Sequence, residues 1–203
     1  MSFGFSGPVP GFSVETIAQP ASELVSLADA KKQARIDYAD DDSLFDVWRI
    51  AARKLVEREA ATCFVPQTLR LSLPCWPGDG QLRLPIGPAI AVTLFKYYDS
   101  GGTLTALIDG VDYQTWLAYR PPLVVPYVQK FWPVIQFGKV PAIVLEYTAG
   151  TADPSELALA RAATLMAIGY WSANRGDEEA PMKFGLPEGC LRLIRMLSTV
   201  GYR

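Results

Sequence analysis

The chain has 203 residues, half of them hydrophobic and 20% charged, which is the composition of a folded domain and not of a disordered segment. A net charge of −2 and a pI near 5.2 argue against a general nucleic-acid binder, which carries a basic surplus. Histidine is absent, which removes the commonest general base and metal ligand.

Residues 1–25 are rich in Gly, Pro, Ser and Phe and show no sustained period. They read either as an extended arm held on a neighbour by Phe3, Phe5 or Phe12, or as a loose tail. They lack a basic stretch before an apolar core, so no secretory signal is expected. A short helix is expected from Ser26, where "SLAD" offers a serine cap with Asp29 three residues on, and it should end near Asp37. "DYADDDS" then clusters Asp37, Asp40, Asp41 and Asp42. Such a cluster can hold a cation, but the central glycine and closing glutamate of a calcium loop are missing. Capping of the next helix by Asp41 or Asp42 is the simpler reading.

The second helix should span Ser43 to Thr62. Leu44, Val47, Trp48, Ala51, Ala52, Leu55 and Val56 form its apolar face, and Arg49, Arg53, Lys54, Glu57 and Arg58 a solvated, ion-paired one. From Phe64 the period changes to two. "QTLRLSLP" and "QLRLPI" alternate, "YYDSGGTLTAL" reads as a hairpin around Ser-Gly-Gly, and "AIVLEYT" closes an antiparallel β region. That region holds Trp76, Tyr97, Tyr98, Tyr113, Trp116, Tyr119, Tyr127, Phe131 and Trp132, which are expected to fill a small two-layer core and an interface.

The glycine turn in "EYTAGTADPSEL" lacks the lysine and second glycine of a phosphate loop, and Asp153 at the helix start would repel phosphate. It is a scaffold joint, with Asp153 as cap, Pro154 at the first helical position and Glu156 completing a capping box. The helix from Pro154 to Asn174 is apolar almost all round and should be buried on several sides. A last helix starts at Pro187, with Leu191, Ile194 and Leu197 as its stripe. Cys63, Cys75 and Cys190 are far apart without a CxxC pair, so neither zinc nor a disulfide framework is expected, and all three thiols should be buried or half-buried. No apolar run is long enough for a membrane span, so no membrane partner is expected.

The expected fold is α+β: a helical bundle (26–63 and 151–198) interrupted by an antiparallel β insertion (64–150) between its second and third helices, with an arm at 1–25 and a tail at 199–203. No spacing builds a catalytic constellation or a cofactor site. Two other classes are open on the residues: a carboxylate-pair hydrolase using Asp109 with Asp112 or Asp40 to Asp42, and a carbohydrate-binding β module using exposed aromatics such as Trp116.

Three colinear stretches then carry a resemblance. "SLADAKKQARIDYADDDSLFDVWRIAARKLVEREAATCFVPQTLRLSL", "LRLPIGPAIAVTLFKYYDSGGTLTALIDGVDYQT" and "IVLEYTAGTADPSELALARAATLMAIGYWSANR" together resemble the phage head–tail connector (adaptor) family, including the adaptors of gene transfer agents. The resemblance covers Ser26 to Leu197. It implies a non-enzymatic virion protein at the head–tail interface, forming a dodecameric ring. The ring would dock under the portal protein and carry the next tail-side connector or stopper, with DNA passing through the lumen during ejection. It also implies that the C-terminal segment, here Ser198, Thr199, Val200, Gly201, Tyr202 and Arg203, reaches into the portal. No cofactor or metal is implied.

Overall fold

A computed structural model describes residues 11–174 and 186–197. It is α+β, with four helices and eight strands among the described residues, and the chain falls into two compact units. A helical unit comprises Pro20–Val65 and Thr151–Arg203, and a β unit comprises Met1–Gln19 and Pro66–Gly150.

In the helical unit, α1 (Leu27–Ala34) is capped as its sequence predicts: the Ser26 hydroxyl accepts the Asp29 amide at 3.1 Å and donates to the Asp29 carboxylate at 2.6 Å. The helix stops earlier than expected, because Arg35 turns left-handed at φ 57° and its amide closes the last turn. Helix α2 (Asp42–Ala60) ends the same way at Ala61, φ 50°. Helix α3 (Pro154–Ala173) and helix α4 (Glu188–Leu197) complete the unit. Ala160, Ala163, Ala167 and Ile168 of α3 are fully buried among Val25, Ala30, Phe45, Ala52, Val56, Cys190 and Ile194. Small side chains on α3 let its neighbours approach closely, which is why a helix with little amphipathic contrast is still specific in its packing.

Corrections fall on both faces of α2. Val47 and Ala51, assigned to the apolar face, are exposed, Val47 at 62%, and Phe45 is buried instead. Arg53 and Glu57, assigned to the solvated face, are buried, Arg53 at 1%.

The start of α3 confirms the joint. The Asp153 carboxylate accepts the Ser155 amide at 2.8 Å. The capping box is relayed: the Asp153 amide donates to the Thr151 hydroxyl at 3.2 Å, and that hydroxyl donates to the Glu156 carboxylate at 2.6 Å. Asp153→Ala is expected to cost about 1 kcal/mol, the usual loss for a helix cap, read as a lower urea midpoint at unchanged slope.

In the β unit every paired strand is antiparallel. A five-stranded sheet has the order β1-β2-β8-β4-β5: β1 (Ser13–Ala18), β2 (Gln67–Leu73), β8 (Ile143–Ala149), β4 (Ala89–Tyr98) and β5 (Leu104–Ala106). A three-stranded sheet has the order β3-β7-β6: β3 (Leu82–Arg83), β7 (Leu123–Pro126) and β6 (Tyr113–Trp116). Strict alternation on β2 and β8 buries Leu69, Leu71 and Leu73 beside Ile143, Leu145 and Tyr147. The Ser-Gly-Gly hairpin forms as expected. Gly102 sits at φ 85° in its turn, and the Asp99 carboxylate accepts the Gly101 and Thr103 amides, each at 2.9 Å.

The segment 1–25 differs from a free arm at 13–18. These residues form β1, which pairs along β2 from Ser13↔Ser72 to Ala18↔Thr68. Strands β2 to β8 do lie between α2 and α3 in the chain, but their sheet also draws a strand from ahead of α1.

Candidate interaction surfaces and an internal ion cluster

Of the nine aromatics of the β region, seven fall into two populations, while Tyr97 and Tyr98 are half-buried beside Trp76 and Lys139 respectively. Trp76 and Trp132 stack on each other, ring centroids 4.5 Å apart and nearly parallel. Phe95 meets Trp76, Trp132 and Tyr113 edge-on, at 5.9, 5.7 and 5.1 Å. Both indoles are satisfied: Trp76 Nε1 donates to the Pro133 carbonyl at 2.8 Å and Trp132 Nε1 to the Gly80 carbonyl at 2.9 Å. Burial and the nearby Asp109 charge push the Tyr113 phenol up to about 12. This group is a small core, as expected. Trp116, Tyr119, Tyr127 and Phe131 point instead to solvent. The two indoles that occupy each other leave Trp116 as the exposed tryptophan of that set.

Of the carboxylates that could pair for hydrolysis, Asp109 and Asp112 act as turn staples. Asp112 accepts the Ile108 amide and the Lys130 ammonium, each at 3.0 Å, and these two contacts hold its carboxyl below the usual range. Asp109 accepts the Gly110 amide at 2.9 Å. Of the aspartate cluster, Asp41 is the N-cap residue of α2, although its side chain makes no capping bond there. Asp42 lies in the first turn, paired with Lys31 at 2.5 Å. Among the described residues no three His, Cys, Asp or Glu side chains are grouped to hold a metal. An open groove of about 750 Å³ lies beside α1, lined by Lys31, Lys32, Arg35, Ile36, Asp37 and Asp42 among others. Mixed charge and the Lys31–Asp42 pair make it a poor cradle for an anion.

A buried ion cluster in the helical unit escapes helical periodicity. Arg53 Nε donates to Glu23 at 2.6 Å and Nη1 to Glu57 at 2.6 Å, while the second Glu57 oxygen accepts the Phe64 amide at 3.0 Å. Burial opposes the Arg53 charge, but the two carboxylates outweigh it and raise the guanidinium above its ordinary value. The cluster ties the segment ahead of α1 to α2 and to the chain leaving it. No local signal could reveal this, because Glu23 lies thirty positions upstream of Arg53.

Cys63 and Cys190 are buried, and burial pushes the Cys190 thiol up to about 11, which makes it a packing group and not a nucleophile. Cys75 is exposed, contrary to expectation. Phe12, just ahead of β1, is 52% exposed. Phe3 and Phe5, and Ser198 to Arg203, lie outside the described residues.

No protein-family model matches the chain, and no curated protein matches it either. Solved structures do. A chain in the neck of an empty gene transfer agent (GTA) particle, computed with C6 symmetry, aligns with a TM-score of 0.71 at 21% identity, covering 93% of this chain and 96% of that one. A chain of the native GTA virion aligns at 0.69 and 22% identity, with the same coverage. A third, from the neck of the native particle computed with C12 symmetry, aligns at 0.69 and 23%, again over 93% and 96%. Both units of the chain are thus included, and its fold is that of a chain in the neck of GTA particles.

Proposed function

We propose that this chain is a structural adaptor at the head–tail interface of a phage or GTA virion. Twelve copies would form a ring between the portal and the next tail-side connector or stopper, with DNA passing through its lumen. The observation that carries this reading is the end-to-end likeness to chains of GTA necks. The same class is implied by the sequence resemblance to head–tail connectors. Necks computed with C6 and C12 symmetry hold repeated copies of their chains, which supports a ring here. The acidic balance suits a channel in which phosphate must slide and not be gripped. Asp112, Asp153 and the Arg53–Glu57 pair serve a turn, a cap and an internal cluster, which favours a non-enzymatic role.

On this reading the β unit is an insertion between the second and third helices of one bundle. Phe12, with Phe3 and Phe5, meets a neighbouring subunit, and Ser198 to Arg203 enter the portal. Native mass spectrometry of the chain, alone and with its portal protein, tests the proposal. A ring, or a portal complex carrying a fixed number of copies, is expected, and removal of Ser198 to Arg203 should weaken portal docking while the chain stays folded. A monomer indifferent to the portal would overturn the reading.

A further inference from the structure

The connection between β7 and β8 runs from Tyr127 to Ala142, longer than the about 12–15 residues beyond which an irregular loop inside a compact domain is uncommon without a function. Val128, Phe131, Val134, Phe137 and Val140 recur along it at every third position, and all five are exposed, Phe131 at 92% and Phe137 completely. Scattered apolar side chains on a surface need no explanation, but a regular series on one loop does.

The loop is also firmly held. Val128 occupies a turn closed by the Lys130 amide on the Tyr127 carbonyl at 2.9 Å, with Gln129 at φ 62°. Trp132 is stacked inward on Trp76, and Pro133 accepts the Trp76 indole N–H. Ile135 bridges to Asp99, and the Gln136 amide donates to the Tyr98 carbonyl at 3.0 Å. Phe137 stands in a second turn with Gly138 at φ 76°. The two lysines are engaged at home, Lys130 on Asp112 and Lys139 over the Tyr98 ring at 4.4 Å. What the loop offers outward is therefore mainly apolar and ordered before any contact, with its two lysines turned to partners within the same unit. Ordering costs on binding are then low, which favours a permanent interface.

We propose that this loop is the principal contact between copies of the chain, its phenylalanines anchoring in the adjacent copy. The inference rests on the ring reading above. A closed ring joins unlike faces, so each copy must present a surface that its neighbour accepts. Two phenylalanines offer about 150–250 Å² apiece, and with three valines the loop approaches the roughly 800 Å² per partner of a stable interface. Lasting interfaces are also the more apolar ones, with charge depleted at their centre.

The test uses the full chain in two forms, each with and without the portal protein. In the first, a photo-crosslinking phenylalanine analogue replaces Phe137. In the second, Phe131→Ser and Phe137→Ser are combined. The inference expects a crosslinked dimer of this chain from the first. From the second it expects at least about a 100-fold rise in the concentration needed for assembly, with unchanged circular dichroism and unfolding midpoint. Crosslinking only to a different protein, or wild-type assembly by the double variant, would overturn the inference and leave the ring reading standing. Failure of the unmodified chain to assemble, alone or on the portal, would overturn both. Should the double variant misfold, the crosslink at Phe137 decides alone.

Discussion

Replacing Arg53 with methionine is expected to destabilise the helical unit by about 3 kcal/mol, because it leaves the buried Glu57 carboxylate and the part-buried Glu23 carboxylate without their shared cation. Arg53→Lys should recover little of that loss: one ammonium cannot reproduce the divergent bonds of a guanidinium to two carboxylates at once. Replacing Arg53, Glu23 and Glu57 together by apolar residues of similar volume is expected to be far less damaging than the single change, since no uncompensated charge remains. Urea unfolding followed by far-ultraviolet circular dichroism separates these cases. If Arg53→Met matched the wild type within about 0.5 kcal/mol, the cluster would be an ornament of the fold and not a support for it.

Trp132→Ala is the second large effect. It removes one half of the stacked pair, its edge contact with Phe95 and its bond to the Gly80 carbonyl. A loss of about 3 kcal/mol is expected, the lower end for a buried aromatic because this ring is only half-buried. Trp132→Phe keeps a ring but not the N–H, and should cost about 1 kcal/mol. Near-ultraviolet circular dichroism, which reports the fixed environment of Trp76 and Trp132, should lose its tryptophan signal in the alanine variant before any secondary structure is lost. The same substitution frees the inward pin of the β7–β8 loop, so assembly should weaken with it. A loop that assembled normally without Trp132 would show that its pre-ordering is not what favours the contact.

These two positions also mark where reading the chain in one dimension fails. A period of 3.6 placed Arg53 on a polar face, and on α2 taken alone that is sound. The face is buried because Glu23, far away in the chain, arrives to neutralise it, and no window of neighbouring residues contains that partner. Phe131 and Trp132 look alike as adjacent aromatics in one dense group, yet one is in solvent and the other stacked inside. Their opposite fates follow from backbone bonds made to Tyr98 and from the indole bond to Gly80. The first strand escapes such a reading for the same reason: "SVETIA" has no clean alternation, and its extended form is stabilised by an edge of β2 fifty or more residues later.

The α+β class, the four helices, the alternation of β2 and β8, the glycine hairpin and the caps at Ser26 and Asp153 were all determined by the sequence itself. Each depends on residues within one or two turns of one another, where side-chain spacing and a single hydrogen bond decide the outcome. The tertiary structure alone decided that Arg53 is internal, that residues 13–18 complete a sheet, and that five apolar side chains are held outward on a rigid loop. Burial, strand pairing and charge neutralisation are settled between segments distant in the chain, and their energies exist only once those segments meet.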